Sequence, residues 1–499
     1  MNWILVFPII IPLMTAVSVL FAWHNIMLQR ILAFIGCAVL FLVNCLLLKM
    51  TLSHRYLVAM LGGWPAPYGI VLVSDVLSSI LVVMESILAL CVIIYSWSEV
   101  DKACCKAGFY PAYCILLAGV SGAFLTGDLF NLYVWFEVIL IASFVLLTLH
   151  ADHFQLEAAV KYAVMNLIAT LILLTAIAFI YGLTGTLNMA DLAQHLSQSS
   201  EHGLITTIAT IFIVAFGIKA ALFPLFFWLP ASYHTPTFST SAIFAGLLTK
   251  VGVYALLRTF TLLFISNQAY LHHILLVIAL MTLLVGIISS LSQNETRRTL
   301  SFSLISHIGF MILGLAIFTP LALIGSIFYL VQHMLVKTQL FLSSGLIRAF
   351  SGSTFLKRSG GLYQSYPFFA ALFFIAGFSL AGMPPFSGFW GKLSLLKASF
   401  QAHDYGSMAV ILFVGLMTIY MVARLWQAQF LHPPQDQDSL YLTGMRKIGL
   451  LLPVTILTAL ILFIGLVPSP LYYIAQLASN QLLHPDQYIA AVLGAPINA

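Results

Sequence analysis

The chain has 499 residues, of which 62% are hydrophobic and only 7% charged, with a mean hydropathy of +1.06. So few polar residues cannot wrap a water-soluble core, which excludes a soluble globular protein and implies a multi-pass protein of the lipid bilayer. The net charge of +5 comes from Lys and Arg scattered among short loops rather than from one basic patch, so it reads as a topology signal and not as a surface for nucleic acid.

Fourteen apolar runs, each of roughly 20 residues or more, follow one another near 2–22, 30–50, 71–97, 109–127, 129–149, 158–182, 204–229, 237–260, 271–292, 300–318, 321–350, 367–400, 407–428 and 448–472. The first has no basic flank before it and no small-residue cleavage site after it, so it reads as a first helix rather than a signal peptide. The expected fold is all-α: one integral membrane domain over 1–499, with N-terminal helices in 1–108, a first repeat in 109–260, a second in 271–428, helix fourteen at 448–472 and a short tail from 473 to 499.

Twelve of the 20 Lys and Arg residues lie in or beside loops that follow odd-numbered segments. Four (Lys49, Arg55, Arg258 and Lys397) are assigned to the even-numbered side, and the remaining four are inside segments. The positive-inside rule then puts the odd loops in the cytoplasm and both termini outside. Trp23, Trp64, Trp97 and Trp426 fall near predicted helix ends, as an interfacial belt requires.

Two segments have the wrong shape for a simple span. Residues 367–400 would make a 34-residue helix, about 51 Å long against a hydrocarbon core of about 30 Å. Pro384 and Pro385 mark the break, because adjacent prolines remove two backbone donors and clash with the preceding turn. The seventh segment carries a milder version at Pro224, followed by Pro230. Broken helices in corresponding positions point to inverted repeats with an ion site between them. Segments seven and twelve are five apart, and an odd offset reverses orientation, so helices 4–8 and 9–13 are the candidate repeats. The match is imperfect, since Lys219 precedes its proline by five residues whereas Lys392 follows Pro385 by seven.

Five ionisable residues sit inside apolar segments: Glu137, Lys219, Lys250, Lys337 and Lys392. Each costs about 3 kcal/mol at mid-membrane, so five bare charges would cost about 15 kcal/mol unless they pair, shed charge or line water. Such residues mark ion paths. Six cysteines without a CxxC pair give no reason to expect a metal or iron–sulfur site. His150, Asp152 and His153 cluster in a predicted cytoplasmic turn and read as solvated polar residues rather than metal ligands. No phosphate-binding glycine pattern, nucleotide fingerprint or hydrolase triad occurs, so neither a cofactor nor an enzymatic domain is expected.

Several motifs occur together in order. They are the run from Gly127 to Glu137 (Gly-Asp-Leu-Phe-Asn-Leu-Tyr-Val-Trp-Phe-Glu), Phe216-Gly217-Ile218-Lys219-Ala220 with Pro224 and Trp228-Leu229-Pro230, Gly246-Leu247-Leu248-Thr249-Lys250, Ser303 to Gly309, and Gly382 to Lys392. From about residue 60 to 430 the chain resembles the proton-translocating antiporter superfamily that also supplies subunits to respiratory complex I. Within it, the wording of the fifth-segment motif and the lysine at 392 look most like D-type subunits of Mrp antiporters. The resemblance implies exchange of Na+ (or K+ or Li+) for protons, partner subunits of the A, B, C, E, F and G types, and a bacterial inner membrane.

It also implies a Glu137–Lys219 pair. A lone buried lysine favours its neutral form, and a carboxylate about 4 Å away returns about 4 kcal/mol at an effective dielectric near 20, so closing or opening the pair would hold or release a proton. The expected relay runs from Glu137 with Lys219 to Lys250, then to His333 with Lys337, then to Lys392. His333, Lys337 and Ser344 share one face of segment eleven, and His307, beside Ser303 on segment ten, is a further candidate. Glu85 in segment three lies outside the matched path and reads as facing a neighbouring subunit. Two other readings stay open: a membrane subunit of a redox-driven complex, such as NADH:quinone oxidoreductase or a membrane hydrogenase, and a structural subunit whose charges form static pairs.

Overall fold

The computed structural model describes residues 2–150, 152–265, 267–433 and 444–494. Every segment expected from hydropathy contains a helix, as it must, since in lipid each backbone N–H and C=O has to be satisfied within the segment. Among the described residues, 11 helices are long and apolar enough to cross a bilayer. Phe7–Phe21, Phe109–Leu125 and Pro367–Ala381 are apolar but shorter.

The third segment begins later than hydropathy suggests. Val71–Ser74 is a strand, paired antiparallel with Leu57–Met60, and the helix starts at Val76. The reason is local: Asp75 Oδ1 accepts from Ser78 N–H at 2.8 Å while Ser78 Oγ accepts from Asp75 N–H at 2.9 Å, a reciprocal cap that sets the helix start. At the other end, the expected short tail holds two helices, Ser469–Leu483 and Pro485–Leu493, with residues 495–499 outside the described chain. Ser479 Oγ donates to Pro320 O at 3.1 Å, tying the first of these to segment eleven.

Segments eight (Phe238–Leu262), ten (Thr296–Ile317) and eleven (Pro320–Ser351) are enclosed by other helices over nearly all their length, whereas Ile26–His54 and Tyr405–Leu431 leave most of their surface outward. All-round burial explains why the charged residues of segments eight and eleven do not face lipid.

Both expected breaks are present. Segment seven is helical over His202–Ala220 and again over Trp228–Ser232, and segment twelve over Pro367–Ala381 and Ser387–Gln401. The first halves end alike. Ala221 (φ +60°) and Gly382 (φ +83°) take the left-handed conformation. The next residue then bonds back five positions, Leu222 N–H to Gly217 O at 2.8 Å and Met383 N–H to Phe378 O at 3.2 Å, which is the Schellman ending. Pro224 and Pro385 each stand three residues beyond the left-handed position. In segment twelve the Ser379 and Ser387 hydroxyls, 2.7 Å apart, bridge the two halves.

Candidate functional site

Lys219 is the penultimate residue of its half-helix, buried, with Nζ 5.2 Å from the Phe136 ring centroid. Glu137, the neighbour of Phe136, is half-buried. No Lys219–Glu137 ion pair within 4.0 Å occurs among the described residues, so the expected pair stands open: the lysine rests on the ring beside the carboxylate rather than on the carboxylate itself. Segment eight meets this point closely. A Cβ at Gly252 would lie 2.7 Å from Ala220 N, so only glycine lets the two helices touch there.

Lys250 follows a π-helical turn, Phe244–Leu248. Such a turn displaces the ordinary hydrogen-bond ladder and often marks functional positions. Lys250 Nζ donates to the Ala245 carbonyl within it. Lys337 Nζ donates to Ser303 Oγ at 2.6 Å and to Leu300 O at 3.2 Å, linking segments eleven and ten. Ser344, expected on the same face, turns back to Phe341 O at 2.6 Å and takes no part.

One and two turns before Lys337 lie His333 and Tyr329. The Tyr329 hydroxyl is hydrogen-bonded to His307 Nδ1, and the His307 and His333 rings are 5.6 Å apart. His307 Nε2 and both ring nitrogens of His333 are buried without a hydrogen-bond partner among the described residues. Tyr329 was missed in the sequence although its spacing of four from His333 was there to be read.

Lys392 reaches across the break in its own segment. It lies on the second half of segment twelve, but Nζ reaches back to Leu380 O (3.0 Å) and Ala381 O (2.8 Å), the last carbonyls of the first half. Counted from the left-handed position, Leu380 is the counterpart of Lys219. The Lys392 Nζ also lies 5.1 Å from the Phe310 ring of segment ten, as Lys219 lies against Phe136 of segment five. Met311 follows Phe310, whereas Glu137 follows Phe136.

Two expectations are corrected. Glu85 does not face a neighbour: it is fully buried, and Oε2 accepts from Ser121 Oγ at 2.8 Å. Arg258, counted with the even-numbered side as a topology signal although it lies within segment eight, is buried and paired with Asp75 at the start of segment three and 5.2 Å from the Tyr488 ring. Its burial is not legible locally, because its partner is 183 residues away. Removing it from the topology count leaves three basic residues after even segments against twelve after odd ones.

Fold and site together define a multi-pass membrane protein with two broken helices and a buried lysine–histidine row between them. The chain belongs to the family described as NADH:quinone oxidoreductase/Mrp antiporter, transmembrane, which it matches over residues 126–421. It is 40% identical over 495 residues to the D-type subunit of the Na+/H+ antiporter of Alkalihalophilus pseudofirmus, covering 99% of this chain and 100% of that one. In structure it is similar to a chain of the Mrp complex from Dietzia sp. DQ12-45-1b (TM-score 0.91, 29% identity, 99% and 100% covered). It is also similar to a chain of the membrane-bound sulfane sulfur reductase, an archaeal respiratory membrane complex (TM-score 0.91, 25% identity, 99% and 100% covered).

Proposed function

We propose that this protein is the proton-conducting D-type member of a multisubunit Na+/H+ antiporter, working with partner subunits of the A, B, C, E, F and G types in a bacterial inner membrane. Its basic odd loops face the cytoplasm and both termini lie outside. Protons pass along Glu137, Lys219, Lys250, His333 with Lys337, and Lys392, with His307 and Tyr329 beside the histidine step. The full-length likeness to the Alkalihalophilus antiporter protein supports the antiporter assignment.

One observation carries the relay. Lys250, Lys337 and Lys392 bond to carbonyls and a hydroxyl, and none meets a carboxylate within 4.0 Å among the described residues. A carbonyl or hydroxyl oxygen accepts a hydrogen bond from an amine as well as from an ammonium, so each lysine keeps its contact whether or not it holds its proton. A static ion pair would lose its reason to exist on deprotonation. The open Glu137–Lys219 pair adds the switch: closing it favours the charged lysine, and opening it returns the proton to the row.

The likeness to the sulfane sulfur reductase chain supports a second reading, in which electron transfer in partner subunits drives the same path. The two separate in inverted vesicles carrying the complete antiporter operon, energised by ATP hydrolysis without respiratory substrate. Adding Na+ or K+ should collapse the pH gradient with the wild type and not with Lys219→Ala at equal membrane content. Absence of collapse in both favours the redox reading, and collapse in both removes Lys219 from the mechanism.

A further inference from the structure

His150, which lines one cavity with Asp152, has partners beyond its sequence neighbours. The fold brings it to Asp101 and Cys104, from the loop after segment three. The Asp101 carboxylate, the Cys104 sulfur and a His150 ring nitrogen all lie within 4.8 Å of one another, with Cys104 Sγ 2.7 Å from His150 Nδ1. We propose that these three side chains form a binding site for a thiophilic divalent transition metal of the Zn2+ class.

Each donor is held from behind. Asp101 caps the helix Lys102–Lys106, its Oδ1 accepting from Cys104 N–H at 2.8 Å. This fixes carboxylate and thiol relative to each other and leaves the second carboxylate oxygen for a ligand bond. His150 stands two residues past the end of segment five, its N–H donating to Gln155 Oε1 at 3.2 Å, and Gln155 Nε2 in turn donates to Thr235 O at 3.3 Å. The turn that carries the imidazole is therefore anchored to the connection between segments seven and eight.

The donor set suits such an ion. Zn2+ takes Cys, His and carboxylate ligands at about 2.0–2.3 Å in a tetrahedron, which sets donor atoms about 3.3–3.8 Å apart. The 2.7 Å sulfur–nitrogen spacing is shorter than that range, so an entering ion would ease the two apart. A thiolate with an imidazole selects against Mg2+ and Ca2+, which prefer all-oxygen sites. Asp101 and His150 are exposed and line a cavity of about 410 Å³ that also includes Asp152 and Glu99, giving an approach from water and a further carboxylate within the same space. On binding, a Cys104–metal bond forms and the thiol proton leaves to solvent. The bound ion would tie the loop after segment three to the end of segment five, the helix that carries Glu137.

The intact complex purified in detergent tests this by titration with Co2+, whose thiolate complexes show sulfur-to-metal charge-transfer absorption. One equivalent per chain should give the band, and Zn2+ should displace it. His150→Ala, a change at an exposed residue, and Asp101→Asn, which keeps the helix cap, should each weaken binding by at least about tenfold. Cys104→Ser should abolish the band and Cys105→Ser should keep it. No band in the wild type, or a band undiminished in His150→Ala or Cys104→Ser, would reduce the contact to a thiol–imidazole hydrogen bond and overturn the proposal.

Discussion

Lys337 Nζ donates to Ser303 Oγ at 2.6 Å across the interface of segments eleven and ten. Among the described residues the hydroxyl is the lysine's one side-chain acceptor, its other bond going to Leu300 O at 3.2 Å. Hydrogen bonds to charged groups contribute about 1.5–3 kcal/mol, so Ser303→Ala should make the protonated lysine harder to reach and slow gradient collapse by about 10- to 100-fold. Ser303→Thr, which keeps the hydroxyl, should restore most of the rate. Equal rates for Ala and wild type at equal protein level would mean that the contact only joins two helices.

The open Glu137–Lys219 arrangement makes arginine the informative replacement for the lysine. A guanidinium keeps the positive charge and the contact with Phe136 but does not give up its proton in a protein. Lys219→Arg should therefore insert normally and fail to transport. Glu137→Gln removes an attraction of about 4 kcal/mol at 4 Å and a dielectric near 20, and should cost at least about 100-fold. Transport by the arginine variant would show that Lys219 supplies only a fixed charge.

Periodicity and composition make the helical segments, both breaks and every lysine of the row legible, because a charge in an apolar run or a proline pair in an over-long one is visible locally. What escaped was set by distant contacts. The bond from Lys392 back to Leu380 needs the break to fold the second half-helix against the first, and the Phe136 and Phe310 platforms appear only when segments five and ten pack on segments seven and twelve. The pairing of Arg258 is hidden because Asp75 lies far away in sequence. Tyr329 is a different case, since its spacing from His333 was readable and simply not extended upstream. The π turn before Lys250 leaves no simple sequence signal.

Asp75 and Arg258 are both buried, and their ion pair joins the start of segment three to the end of segment eight. Removing one member of a buried pair strands the other and costs about 3–5 kcal/mol, whereas replacing both by apolar residues of similar size is often neutral. Arg258→Met alone should lower membrane content and thermal stability in detergent. Combining it with Asp75→Leu should recover part of the loss, though less than all, because Asp75 also caps its helix through Ser78 N–H. If the double variant is no better than the worse single one, the pair acts through the cap and not through its charges.

His307 and His333 lie in one stack with Tyr329 but are held differently. His307 is bonded through Nδ1 to the Tyr329 hydroxyl, while His333 has neither nitrogen bonded to a partner among the described residues. A relay group must rotate or exchange protons at both nitrogens, which favours the uncommitted ring, and the tethered one is better placed to orient it. His333→Gln should therefore stop transport, a loss beyond about 100-fold given that proton transfer by a positioned group is worth about 10²–10⁴. Tyr329→Phe breaks one hydrogen bond worth about 1 kcal/mol and should slow transport by about fivefold, with His307→Gln no worse than about tenfold. Reversed ranks, with His307→Gln silent to cation addition and His333→Gln active in the vesicle assay, would put the proton on the tyrosine side of the stack.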